Sequence, residues 1–160
     1  MNGKPGNILL VADHKAMKET LSQIASRLEQ QLVVVNEARQ ALALVGAGSF
    51  EVVLFAVRLP DMTAHEFLAQ MQSVGGMEAI ATIAIGDPDQ SRELEQCLEA
   101  GADDFVITPI NAGLLKARMR SVLEYKRLRY THEHSLKNEE LLKIEHDIQV
   151  ARRIQAGFLP

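Results

Sequence analysis

Three carboxylates lie where an apolar run gives way to a turn. Asp13 follows NILLVA, Asp61 sits in RLPDM, and Asp87 follows IATIAIG. A carboxylate placed this way has two chemistries open to it. It can attack a phosphoryl group as a nucleophile, or it can help hold Mg2+, which demands several oxygen ligands. One aspartate leaves nearly all of that coordination to water, so Asp13 by itself makes a weak metal position. The plain role of all three is as turn and cap residues. Thr108, after DFVI, offers a hydroxyl but no charge to offset a phosphate. Other suggestive groups fall away on geometry. His132, Glu133 and His134 occupy successive helix positions that do not share a face. Gly46-Ala47-Gly48 follows a helix and lacks the third glycine of a dinucleotide loop. Cys97 reads as a small core residue.

Something must bring those turns together. Short apolar runs alternate with segments of helical period. Asn7 to Val11, Leu32 to Val35, Glu51 to Ala56, Ile80 to Ile85 and Asp104 to Ile107 read as strands. Between them, Lys15 to Glu29, Glu37 to Val45, Ala64 to Val74 and Gln90 to Ala100 read as helices. Gly46 with Gly48, Gly75 with Gly76, and Gly101 stand where three of those helices should end. Successive βα units imply a parallel sheet with helices on both faces. The fold class is therefore α/β, a five-stranded doubly wound parallel sheet of flavodoxin-like type. The strands are so uniformly apolar that both faces of each are expected to be covered. In such a sheet the functional crevice lies at the carboxyl ends of the strands, where the strand order reverses. That selects Ala12 and Asp13, Ala56, Gly86 and Asp87, and Thr108 with Pro109.

Bulk properties bound the function. The 160 residues suffice for one domain with a core plus extra helix. Seventeen basic against twenty-one acidic side chains give a net charge of -4, which argues against a nucleic-acid partner. The basic run Lys116, Arg118, Arg120, Lys126, Arg127 and Arg129 is expected to be a solvated helix face. A single cysteine permits no internal disulfide and fits a cytoplasmic location. MNGKPGN has no apolar run of signal-peptide type, and no stretch is apolar for long enough to span a membrane.

The last part of the chain is different. Leu114 to Ala156 contains neither Gly nor Pro, and Asn111 is a suitable N-cap. One helix from Asn111 to Phe158 would be roughly 70 Å long. A domain of this size is about 30 Å across, so such a helix must project from it. Leu141, Ile144, Ile148 and Ala151 follow a heptad seam. We expect a domain over residues 1–123, a helical linker or coiled coil over 124–160, and a homodimer held by that seam.

The segments ILLVADHKAM, FEVVLFAVRLPDMTAHEFL, IATIAIGD and AGADDFVITPI resemble, in order and spacing, the landmarks of response-regulator receiver domains. The resemblance runs from Asn7 to about Leu123 and implies a place in two-component or phosphorelay signalling. Receivers phosphorylate themselves on an aspartate after strand three. An acidic pair after strand one helps hold Mg2+, and a hydroxyl and a lysine neutralise phosphoryl oxygens. Here the nucleophile position is Ala56, the acidic pair is Ala12 and Asp13, the hydroxyl position is Gly86, and the lysine position is Thr108, with Pro109 kept. An alanine methyl neither attacks phosphorus nor ligates a metal. The resemblance thus implies a degenerate, non-catalytic pseudo-receiver without a cofactor, which signals by contact with a regulatory protein partner. An alternative is a switch using Asp13, Asp61 or Asp87 as a displaced phosphoacceptor.

LLKIEHDIQVARRIQAGFLP resembles the segment leading into metal-dependent serine/threonine phosphatase domains of the bacterial sporulation and stress-response type, through Ala151, Arg152, Ile154, Gln155, Leu159 and Pro160. This implies a downstream phosphatase domain in cis, to which the helix would pass the signal. The remaining alternative is an adaptor with no enzyme output.

Overall fold

The computed structural model describes residues 7–48, 50–75 and 77–129. Five parallel strands, β1 (Asn7–Val11), β2 (Gln31–Val35), β3 (Val52–Ala56), β4 (Ala81–Gly86) and β5 (Asp104–Ile107), form one sheet in the order β2-β1-β3-β4-β5. The helices are α1 (Lys15–Arg27), α2 (Ala38–Ala47), α3 (Ala64–Val74), α4 (Ser91–Glu99) and α5, helical over residues 112–129. The doubly wound α/β architecture expected from the alternating pattern is the one observed. By compactness the chain divides after Lys126. The seam residues Leu141, Ile144, Ile148 and Ala151 and the phosphatase-like segment lie outside the described residues.

Strand side chains alternate between two apolar layers. Leu9, Val11, Val53 and Phe55 meet α2, α3 and α4, while Ile8, Leu10, Leu54 and Ala56 meet α1 and α5. The two layers explain why β1, β3 and β4 are apolar at nearly every position. Phe55 and Phe67 pack edge to face, with ring centroids 5.6 Å apart at 66°.

β2 corrects the expectation that every strand is covered on both faces. Val33 is 41% exposed and Val34 36%, one toward each side of the sheet. β2 is an edge strand next to β1 only, so its apolar sequence reports strand propensity rather than burial.

Local chemistry sets the helix ends. His14 caps α1 through Nδ1, which accepts from the Met17 N–H at 3.3 Å. Thr63 caps α3 by accepting from the Glu66 N–H, and Asn111 accepts from the Leu114 N–H. Gly101 has φ +114, the left-handed geometry expected just past α4. Two short 3₁₀ turns, Met77–Ala79 and Pro88–Gln90, precede β4 and α4. Neither was legible in the apolar periodicity, because three residues make a single 3₁₀ turn and repeat no pattern. At the opposite end of the sheet from the crevice, Lys126 Nζ reaches Asp103 Oδ2 at 2.8 Å and the Ile80 carbonyl at 2.6 Å. This fixes α5 against the starts of β4 and β5. Cys97 is buried as expected, and burial first, then the Glu93 charge, pushes its thiol up to about 11.

Candidate functional site

The order β2-β1-β3 reverses direction of growth at β1, so a crevice opens beyond the ends of β1, β3 and β4. It has a volume of about 510 Å3. Ala56, at the end of β3, and Ile85, its neighbour on β4, form its base. Met17 and Thr20 of α1, with Thr108, Pro109 and Ile110 after β5, are also among its lining.

The residues singled out by sequence fall at or beside this crevice. Ala56 and Thr108 line it, as does Pro109 behind a cis peptide bond. Ala12 is fully buried at the end of β1, and Asp13 beside it is exposed. Gly86 ends β4, and Asp87 follows it on the lining.

Three contacts at the crevice were not legible in sequence. First, the Thr108 hydroxyl donates to Asp87 Oδ1 at 2.5 Å. The Asp87 carboxylate also accepts from the Gln90 backbone N–H, closing a capping box as Gln90 Oε1 accepts from the Asp87 N–H at 2.9 Å. Second, Arg58 grips Glu93 with both arms of a fork, at 2.9 and 3.0 Å, tying the loop after β3 to α4. Arg58's hydrogen bonds hold the Glu93 carboxyl below its usual range, against a smaller opposing effect of burial. Third, a Cβ placed on Gly86 would lie 3.0 Å from Leu94 Cγ and 3.1 Å from each Leu94 Cδ. Leu94 is 2% exposed and occupies the space a side chain at position 86 would need.

Asp61 lies away from the crevice. Its two oxygens accept from the backbone N–H groups of Ala38 and Arg39, each at 2.9 Å, and so cap α2. Burial raises its carboxyl, but the bonds from Arg39 and Ala38 together outweigh that and leave it lowered. Spacing alone gave no sign of this, since Asp61 and α2 are separated by all of β3.

Residues 8–120 match the family model described as response regulator receiver domain. A curated relative is the response regulator MprA of Mycolicibacterium vanbaalenii, 29% identical over 74% of this chain and 51% of that protein. The chain thus spans about half the length of that relative. Among solved structures, the receiver domain of a sensor histidine kinase from Pseudomonas aeruginosa superposes with TM-score 0.70. It shows 19% identity over 76% of this chain and 99% of that one, and carries a magnesium ion coordinated in its active site cleft. The signal receiver domain of an HD domain-containing protein from Pseudomonas fluorescens superposes with TM-score 0.72, at 21% identity over 82% of this chain and 96% of that one. The likeness of these structures is one of fold, and with the family match over most of its length this chain belongs to the response regulator receiver domain family.

Proposed function

We propose that this receiver domain works without phosphorylation, as a regulatory module that passes a signal by protein contact. The observation that carries the reading is Ala56. It ends β3 at the base of the crevice and presents a methyl group where the family's chemistry needs a carboxylate.

The surrounding residues support the same reading. Mg2+ needs oxygen ligands converging on one point. Ala12 and Ala56 contribute only methyl groups, Asp13 is exposed and outside the crevice lining, and Asp87 is engaged by Thr108 and Gln90. The metal does not fit this set. Thr108 brings no cation to neutralise a transferred phosphoryl group. Gly86 brings no hydroxyl, and Leu94 fills the space for one. Of the displaced phosphoacceptors, Asp61 caps α2, Asp87 is held in its own capping box, and Asp13 is exposed outside the crevice lining.

The output belongs to the same proposal. The sequence of the last segment supports a homodimer through Leu141, Ile144, Ile148 and Ala151 and a serine/threonine phosphatase domain in cis, with a cytoplasmic setting. No helix among the described residues is long and apolar enough to cross a membrane.

Calorimetric titration with Mg2+ tests the crevice. The expected result is no stoichiometric binding, since one exposed carboxylate leaves the ion almost fully hydrated. A one-site isotherm with a dissociation constant below about 1 mM, near −4 kcal/mol, would reject the reading.

A further inference from the structure

We infer that the crevice is a binding site for an uncharged, largely apolar small molecule of metabolite size. The inference rests on the reading that this crevice no longer takes a phosphoryl group, and it names what takes its place. Its volume of about 510 Å3 lies within the range of small-molecule pockets. It sits at the topological switch point, where doubly wound sheets hold their ligands.

The lining sets the ligand's chemistry. Met17 of α1 and Pro109 and Ile110 after β5 present carbon surface to the crevice, over the nearly buried Ala56 and the fully buried Ile85. Such a lining rewards removal of apolar surface from water. Two charged side chains line the crevice, and both are already engaged. Arg58 is bonded twice to Glu93, and Asp87 holds Thr108 and Gln90. A charged ligand would lose hydration and meet no uncommitted counter-charge. Hydrogen bonding remains at the rim. His14 uses Nδ1 as acceptor for the Met17 N–H, so its Nε2 is the ring's donor, and Thr20 stands nearly two turns along the helix that His14 caps. The ligand is therefore an uncharged molecule with an aromatic or aliphatic body and one or two polar atoms at one edge.

The test uses the whole chain and two fluorescent probes of similar shape. N-phenyl-1-naphthylamine is uncharged, and 8-anilinonaphthalene-1-sulfonate is its anionic counterpart. The uncharged probe is expected to bind saturably at one site, and the sulfonate at least about tenfold more weakly. Ala56→Leu fills the base and Thr20→Phe enlarges a lining side chain of α1. Each is expected to weaken the uncharged probe by at least about tenfold with the circular dichroism spectrum unchanged. Thr20 is part-exposed on α1, so its variant keeps the test decisive if Ala56→Leu does not fold. Non-saturable binding, equal affinity for the sulfonate, or undiminished affinity in a folded Thr20→Phe variant would overturn the inference. Displacement of the probe by Mg2+ with acetyl phosphate would overturn both the ligand and the phosphorylation-free reading. Absence of probe binding without phosphate uptake would overturn the ligand alone.

Discussion

Replacing Phe67 with alanine is expected to destabilise the domain by about 3–5 kcal/mol. Phe67 is fully buried on α3 and packs edge to face on Phe55 of β3. Truncation removes most of a buried ring and leaves a cavity that neighbours held by the sheet cannot close. The loss is a large share of the roughly 5–15 kcal/mol available to a domain. It falls directly beneath the strand whose last residue, Ala56, forms the base of the crevice. Urea unfolding followed by circular dichroism checks it. The midpoint should fall by about 1 M or more with the slope unchanged. A midpoint shift below about 0.3 M would show that the ring is not part of the packed core described.

Restoring a side chain at position 86 is the second large effect. Gly86→Thr should destabilise by about 1–3 kcal/mol from overpacking, offset by about 0.4–1 kcal/mol of lost unfolded-state freedom. Overpacking is expected to win because Leu94, at 3.0–3.1 Å from the new Cβ, must give by a few tenths of an ångström and is itself held in the core. Combining Gly86→Thr with Leu94→Ala makes the cause visible. Leu94→Ala alone should cost about 2–5 kcal/mol, and the threonine should then enter vacated space. The double variant should be more stable than the sum of the two by about 1–2 kcal/mol. Strict additivity would mean that Leu94 is not what closes this position. The result bears on function, because it separates a missing hydroxyl from a site repacked around its absence.

The sequence made the scaffold legible for a physical reason. Apolar runs, helical periods and terminal glycines such as Gly101 are local signals, and a parallel α/β sheet is assembled from local units. It also placed Ala56, Gly86, Thr108 and Pro109 at the crevice, because the ends of parallel strands converge whatever residues occupy them. What escaped was contact between loops. Arg58 with Glu93 and Asp61 with the α2 N-terminus join residues more than twenty positions apart, and no periodicity encodes such pairs. Thr108 with Asp87 is the same kind of contact. Leu94 illustrates a subtler limit. Gly86 read as a lost hydroxyl, and nothing in the helix pattern of α4 announced that a leucine had taken its space. The edge strand β2 failed the other way, since Val33 and Val34 carry an interior composition on an exposed strand.

Intact-mass measurement after incubation with Mg2+ and acetyl phosphate tests the central claim most directly. The chain has Ala56 where the attacking carboxylate would stand, an exposed Asp13, and Asp61 and Asp87 engaged in caps. The expected spectrum shows the unmodified mass alone, under conditions that phosphorylate an intact receiver domain run in parallel. A mass gain of one phosphate, located on an aspartate by borohydride trapping and peptide mapping, would contradict the account.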